Sequence, residues 1–192
     1  MTTKDLMKRH YAVTLLAMCE EQPLSSITVT ALVKRAGTAK QTFYNHFRDL
    51  NDLVNYIPQE FIILAGFTAF SPSAIRKTYR FAARHKGFFK ALASHAGQNN
   101  FRDEFIAFAE EAAYKAFLPE GLSEQERLER KLAIDLYTIG VVDHGLKWCE
   151  TGLEWPPDML ARVHAESAPA FMREHADECL QRLMADQGAT AD

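Results

Sequence analysis

The chain has 192 residues, of which 47% are hydrophobic and 24% are charged, and its formal net charge is −3. This composition is that of an ordinary soluble globular protein, and the negative charge argues against a protein that is basic throughout. The three cysteines show no spacing typical of a disulfide framework. With no signal-peptide pattern and no run near the roughly 18 apolar residues of a membrane span, we expect a cytoplasmic protein without a membrane partner.

The first predicted element is an amphipathic helix from Thr3 to Glu21, which Gln22-Pro23 ends. Its apolar residues recur at steps of three and four, namely Met7, Tyr11, Leu15 and Met18. Residues 1–57 hold seven Lys or Arg and five Asp or Glu, a net charge of +2. The rest of the chain therefore carries −5. A mildly basic N-terminal part and an acidic remainder suit a protein whose N-terminal part binds DNA.

The next stretch predicts a helix, a tight turn and a short second helix. Thr28 can cap the first helix, because its hydroxyl can accept a backbone N–H one turn further on. Gly37 can close that helix, since glycine reaches the left-handed conformation without steric cost. We expect Thr38 to cap the second helix, Ala39 to Asn45. Two short helices joined by a small-residue turn form a helix-turn-helix, whose second helix fits the major groove of DNA.

The outward face of this second helix carries most of the predicted DNA contacts. Phe43 and Phe47 are four residues apart and are predicted to face inward. Polar side chains on the other faces can bond base edges or phosphates. The predicted DNA-binding residues are Thr28, Thr38, Lys40, Gln41, Thr42, Tyr44, Asn45 and His46.

This stretch resembles the DNA-binding domain of the TetR family of bacterial regulators. The matching residues keep an unbroken spacing and are Ile27-Thr28-Val29, Leu32, Ala36-Gly37, Thr42-Phe43-Tyr44, His46-Phe47 and Leu53. The resemblance implies an all-α protein with a three-helix DNA-binding head, residues 1–57, and a helical body, residues 58–192, for effector binding and dimerisation. Many members carry Lys at the position of Leu50. The stretches 41–53 and 146–159 resemble a subgroup that includes regulators of dihydroxyacetone kinase genes.

The remaining pattern is helical throughout, with no strand pattern. Asp49 can cap a helix in which Pro58 predicts a kink or break. Ser123 and Glu126 form a capping box that opens a long helix ending near Glu150. The other predicted helices are Pro72–Arg84, Phe88–His95, Phe101–Phe117, one from Pro157 that Pro169 interrupts, and Ala170–Ala185. The long helix carries an apolar stripe of Leu128, Leu132, Leu136, Ile139, Val142 and Leu146. We expect residues 124–150 and 170–185 to form the dimer bundle.

The aromatic body suits a mostly apolar small-molecule pocket, although aromatic residues at helical spacing also simply pack in cores. The predicted ligand-binding residues are Phe67, Phe88, Phe105, Tyr137, His144 and Trp148. His144 is either an anchor in this pocket or part of a face turned to solvent or to a dimer partner. His175 and Cys179 alone make no metal site. No catalytic motif is found, so we predict no enzyme, no cofactor and no metal.

The predicted function is sequence-specific transcriptional regulation. The resemblance favours a repressor that binds double-stranded, nearly palindromic operator DNA as a homodimer and responds to a small-molecule effector. Two alternatives remain. One is a ligand-dependent coactivator that works through a partner protein, a role known in the resembling subgroup. The other is a helical enzyme or small-molecule carrier that uses the body.

Overall fold

The computed structural model describes residues 3–60, 72–95 and 101–174, and within these ranges the protein has no β-strand. The prediction of an all-α protein is confirmed. The helices of the described ranges are α1 (Thr3–Glu21), α2 (Val29–Arg35), α3 (Lys40–Tyr44), α4 (Leu50–Pro58), α5 (Pro72–Arg84), α6 (Lys86–His95), α7 (Phe101–Phe117), α8 (Glu124–Glu150), α9 (Pro157–Glu166) and α10 (Ala170–Glu174).

Local capping sets the helix ends in the first four helices. The Thr28 hydroxyl accepts a hydrogen bond from the backbone N–H of Ala31 at 3.2 Å, as predicted. Asp49 accepts from the N–H of Asp52 at 2.8 Å and caps α4, also as predicted. Gly37 has a φ of 67° and closes α2. Residues in this left-handed region are usually glycine, because a Cβ would be strained there.

The prediction that Thr38 caps α3 is wrong. Helix α3 begins after Ala39 and has no side-chain cap. The Thr38 hydroxyl instead lies 2.7 Å from the hydroxyl of Tyr11 in α1. Tyr11 is fully buried, and a buried hydroxyl without a partner is costly, so this tertiary bond takes the place of the local cap.

The core of the head forms where α1 crosses the helix-turn-helix. Phe43 and Phe47 are buried, which confirms that they face inward. The Tyr11 ring packs edge-on against Phe43, with ring centroids 5.3 Å apart. Leu32 and Leu53 are fully buried in the same cluster. Because α1, α2, α3 and α4 share this cluster, the position of α3 depends on all of them.

The body packs as layers of helices, with α5 against α9 and with α6 and α7 against α8. The predicted capping box at the start of α8 is confirmed, with Ser123 and Glu126 bonded in both directions. Pro58 is the last residue of α4 and is followed by a π-helical turn at residues 59–60. No described helix is long and apolar enough to cross a membrane. The predicted final helix is described only over α10; its continuation, with His175 and Cys179, lies outside the described residues.

Head and body are in direct contact. A Cβ added to Gly87 of α6 would lie 2.1 Å from the backbone oxygen of Cys19, near the end of α1. Only glycine permits so close an approach without a shift of the backbone. On another side of α1, Arg9 forms an ion pair of 2.5 Å with Glu60, just beyond α4. The buried cluster continues from the head into the body.

Candidate nucleic-acid interface and ligand cavity

Helix α3 presents a polar face on the outside of the head. Lys40, Gln41, Tyr44 and Asn45 are exposed, and Thr42 is half-buried. The Gln41 amide donates a hydrogen bond to the Asn45 side-chain oxygen at 3.2 Å. Because these two residues are one helical turn apart, the bond holds both amides in one orientation on the outer face. Such amides can form bidentate bonds to the edge of a base.

The aromatic side chain on this face is held by the core beneath it. Tyr44 is 52% exposed, and its ring packs edge-on against buried Phe43 with centroids 5.4 Å apart. Edge-to-face packing of this kind fixes a ring while leaving its polar tip in water. His46 is half-buried, and its Nδ1 is buried without a hydrogen-bond partner among the described residues.

Among the described residues of the head, the arginines lie in ion pairs. In the described part of the head, Arg9 pairs with Glu60, Arg35 pairs with Glu21 and Arg48 lies 3.5 Å from Asp52. The ammonium of Lys8 lies over the Phe47 ring, 5.4 Å from its centroid. Lys40 is exposed beside the polar face and forms no ion pair with the described residues. An unpaired exposed lysine at this position is suited to a phosphate contact.

A cavity of about 70 Å³ lies in the body, between α5, α6, α7 and α8. Pro58, at the end of α4, also lines it. Most of its wall is apolar, and Phe101 and Phe105 stack in it with ring centroids 5.5 Å apart. The remaining lining residues are Thr78, Tyr79, Ala82, Phe89, Leu92, Val141, Val142, Gly145, Leu146, Trp148 and Cys149.

Two family profiles match the chain. Residues 15–57 match the bacterial regulatory proteins of the tetR family, and residues 71–167 match a transcriptional regulator C-terminal region of TetR type. The second match alone covers half of the chain. The chain belongs to the TetR family. Proteins of this family carry an N-terminal helix-turn-helix that binds DNA, so this chain is a DNA-binding regulator in fold and in family.

Solved structures of TetR-family regulators share the fold. The dihydroxyacetone kinase operon activator DhaS superposes with a TM-score of 0.58 at 12% identity, over 93% of this chain and 94% of its own. A tetR-family transcriptional regulator from Streptomyces coelicolor superposes with a TM-score of 0.55 at 14% identity, over 93% and 91%. At these identities the likeness concerns the fold. A comparison with curated protein sequences finds no match.

The predicted ligand-binding residues of this TetR-family protein divide between two places. Phe105 and Trp148 line the cavity between α5, α6, α7 and α8. Tyr137 and His144 line a groove of about 430 Å³ between α8 and α9. Phe88 is fully buried in the core and lines neither. Phe67 lies outside the described residues.

Sequence reasoning missed a polar chain that joins the cavity to the groove. Tyr79 lines the cavity, and its hydroxyl lies 2.5 Å from Nδ1 of His164. Nε2 of His164 lies 2.7 Å from Nδ1 of His144, on the groove side. His164 is buried and occupies one position of an apolar stripe on α9 with Leu160 and Ala161. That position in the stripe was the available signal, because a histidine there must be buried among apolar neighbours.

The apolar residues predicted for α8 have the predicted spacing, but some of them are buried and others are exposed. Val142 is buried and Leu146 packs against the core. The four stripe residues nearer the N-terminus of α8 are exposed, and Leu136 is the most exposed of them, at 78%. These exposed residues are Leu128, Leu132, Leu136 and Ile139. They define the α8 surface. Among the described residues no group of three or more side chains is placed to hold a metal ion.

Proposed function

We propose that this TetR-family protein is a ligand-responsive repressor that binds a nearly palindromic operator as a homodimer. The observation that carries the proposal is the polar face of α3, which a buried aromatic cluster holds on the outside of the head. The proposed division places the DNA-binding head at residues 1–57 and the effector and dimerisation body at residues 58–192. Two heads related by a two-fold axis would present their α3 helices to successive major grooves, about 34 Å apart.

The proposed contacts on α3 fall into two kinds. The amides of Gln41 and Asn45 are suited to base edges, because they offer both a donor and an acceptor. Lys40 is suited to a phosphate, since a mobile ammonium attracts charge but carries little sequence information. The other proposed contacts are Thr28, Thr38, Thr42, Tyr44 and His46. Thr38 already bonds Tyr11, so its contribution is the position of α3 more than a DNA contact.

The α8 surface supports dimerisation. Large apolar side chains rarely form a continuous exposed row on a protein that stays monomeric. Val163 and Met159 of α9 are also exposed, at 41% and 44%, and Val163 lines the same groove as Leu136. A second copy that packs these helices against their equivalents would bury both rows. The proposed dimer bundle keeps the predicted helices, α8 and the helix that begins with α10, and adds the exposed apolar side chains of α9.

The position of the cavity supports an effect of a ligand on the head. Pro58 is both a lining residue and the last residue of α4. Helix α4 packs against α1, and Arg9 of α1 pairs with Glu60. A ligand that moves the end of α4 would thus change the position of a head relative to the dimer. It would favour the population whose head spacing no longer fits the operator.

The test is fluorescence anisotropy of the protein on labelled DNA from upstream of its own gene, at two salt concentrations. We expect tight, salt-dependent binding that a scrambled duplex does not share, because non-specific binding is purely electrostatic. Tyr44→Ala is expected to weaken specific binding by about tenfold or more, in the range of a lost base contact. Lys77→Ala, an exposed change on α5, is the control. Equal binding to both duplexes would reject the proposal.

The same experiment tests a coactivator role. The structural neighbour DhaS is called an operon activator, and the sequence resembles regulators of dihydroxyacetone kinase genes. A coactivator would bind the operator poorly alone and tightly with its partner protein. A transcription assay then gives the sign of regulation: loss of the gene raises transcription for a repressor and lowers it for an activator.

A further inference from the structure

We propose that His10 of α1 is a positioning residue for DNA recognition, because it holds the turn between α2 and α3 and so fixes where α3 begins. This proposal rests on the sequence-specific DNA binding proposed above and adds to it a residue that lies outside the recognition helix.

The first observation is a contact between α1 and the turn. Nε2 of His10 lies 2.9 Å from the backbone oxygen of Ala36, 26 residues further along the chain. A carbonyl oxygen can only accept a hydrogen bond, so Nε2 carries the proton and the ring donates. His10 is exposed, so its ring is not there to fill the core. The bond joins α1 directly to the end of α2.

The second observation concerns the carbonyl that His10 bonds. The two backbone bonds that close α2 end on the oxygens of Val33 and Lys34. Ala36 is the C-terminal cap residue of α2. The last carbonyls of a helix have no partner within the helix and need one from outside. The His10 ring supplies that partner for Ala36.

The third observation is that α1 holds both sides of the turn. Gly37, with a φ of 67°, lies at the centre of the turn. On one side of it Ala36 bonds His10. On the other side the Thr38 hydroxyl lies 2.7 Å from the hydroxyl of Tyr11. Two consecutive residues of α1 therefore restrain the residues before and after the glycine.

Helix α1 is in turn held by the body. The Cys19 carbonyl meets α6 at Gly87, and Arg9, the neighbour of His10, pairs with Glu60 beyond the end of α4. Because α1 is fixed in this way, the His10 bond restrains the turn rather than α1.

The position of α3 depends on such contacts because the helix is short. It has five residues and no side-chain cap, and so short a helix is not stable by itself, since nucleation is costly. Base contacts need the side chains of α3 at fixed places in the groove, whereas non-specific attraction to phosphates does not. Loss of the His10 bond should therefore weaken specific binding selectively.

The test compares His10→Ala with His10→Gln, whose side-chain amide can donate a hydrogen bond in place of the ring. The DNA is a duplex that the unchanged protein selects from a random pool, and a scrambled version of it measures non-specific binding. We expect His10→Ala to weaken binding to the selected duplex by about two- to tenfold, the effect of one hydrogen bond, and to leave the scrambled duplex unchanged. Amide hydrogen exchange in residues 38–47 should become faster by a similar factor. His10→Gln should restore both values.

Val13→Ala is the matched control, because it shortens another exposed side chain of α1 and should change neither value. Equal weakening on both duplexes would overturn the proposal, since it would indicate a lost charge or a lost fraction of folded protein. Unchanged binding or unchanged exchange in His10→Ala would also overturn it, as would failure of His10→Gln to restore binding. If the unchanged protein selects no duplex, the specific binding proposed above is rejected, and the exchange measurement alone decides whether His10 holds the turn.

Discussion

At the scale of single residues, one hydrogen bond ties the start of α3 to the centre of the head. The hydroxyls of Tyr11 and Thr38 are 2.7 Å apart. We expect Tyr11→Phe and Thr38→Val each to lower the free energy of unfolding by about 1 kcal/mol. Because both remove the same bond, the double variant should lose little more than either single one. Urea denaturation of the unchanged protein, the two single variants and the double variant measures these losses. Thr38→Ser keeps the bond and is the control. Fully additive losses would show that the bond contributes nothing.

Another residue-scale prediction concerns the contact between head and body. A side chain at position 87 would collide with the Cys19 carbonyl, 2.1 Å away. Gly87→Ala should therefore lower the free energy of unfolding by about 1–3 kcal/mol, as overpacking does, despite the better helix propensity of alanine. Lys86→Ala, at the exposed neighbouring position, should stay within about 0.5 kcal/mol of the unchanged protein. A stabilised Gly87→Ala protein would mean that α1 and α6 are further apart than described.

At the scale of elements, the α8 surface is predicted to hold the dimer together. Leu136 is 78% exposed, so Leu136→Glu should leave the helical circular-dichroism signal unchanged. In a dimer it would place two carboxylates in an apolar contact, and burying an unpaired charge is strongly unfavourable. We expect a monomer by sedimentation at micromolar concentration and a large loss of affinity for the full operator. Val13→Glu changes an equally apolar exposed residue on α1, 55% exposed, and should stay dimeric. A dimeric Leu136→Glu protein would place the interface elsewhere.

Several element boundaries were predictable because local chemistry decides them. The side chains of Thr28, Asp49 and Ser123 each bond the backbone N–H three residues on, and Gly37 takes a conformation that few other residues adopt. Each of these signals lies within one helical turn of the end it determines. The helix-turn-helix and the helices of the body follow from them and from apolar spacing.

Contacts between residues far apart in the sequence were not predictable in the same way. The rule for capping residues favoured Thr38, but its hydroxyl bonds Tyr11, 27 residues away in sequence. Helical spacing identified the apolar row on α8 without telling a buried residue from an exposed one, and Leu136 and Val142 face different surroundings. The cavity and groove depend on how helices cross. For that reason Phe105 and His144, grouped in one predicted pocket, lie on two different surfaces.

At the scale of the whole molecule, head and body share one buried cluster. The cluster is continuous from Leu32 and Phe43 in the head to Trp148 in the body. The contact of α1 with α6 and the Arg9–Glu60 pair add two further connections. A packed core responds to a local change by shifting between discrete arrangements rather than by deforming smoothly. The cavity wall and α3 therefore belong to one packed core, through Trp148 and Phe43.

The stability of the whole molecule should depend on pH through His164. Burial, reinforced by the neighbouring His144, lowers the pKa of His164 from 6.5 to about 4. Between these values the unfolded chain binds a proton that the folded protein does not. Stability present above pH 6.5 is therefore lost as the pH falls towards 4, by at most about 1.4 kcal/mol per pH unit. His85, whose pKa is also lowered by burial, contributes in the same direction. The test is urea denaturation of the unchanged protein and of His164→Gln across this pH range. Whatever its overall stability, the variant should lose the part of the pH dependence of stability that His164 contributes and keep the part that His85 contributes. His85→Gln is the matched control, and parallel curves for the unchanged protein and His164→Gln would show that His164 is protonated equally in both states.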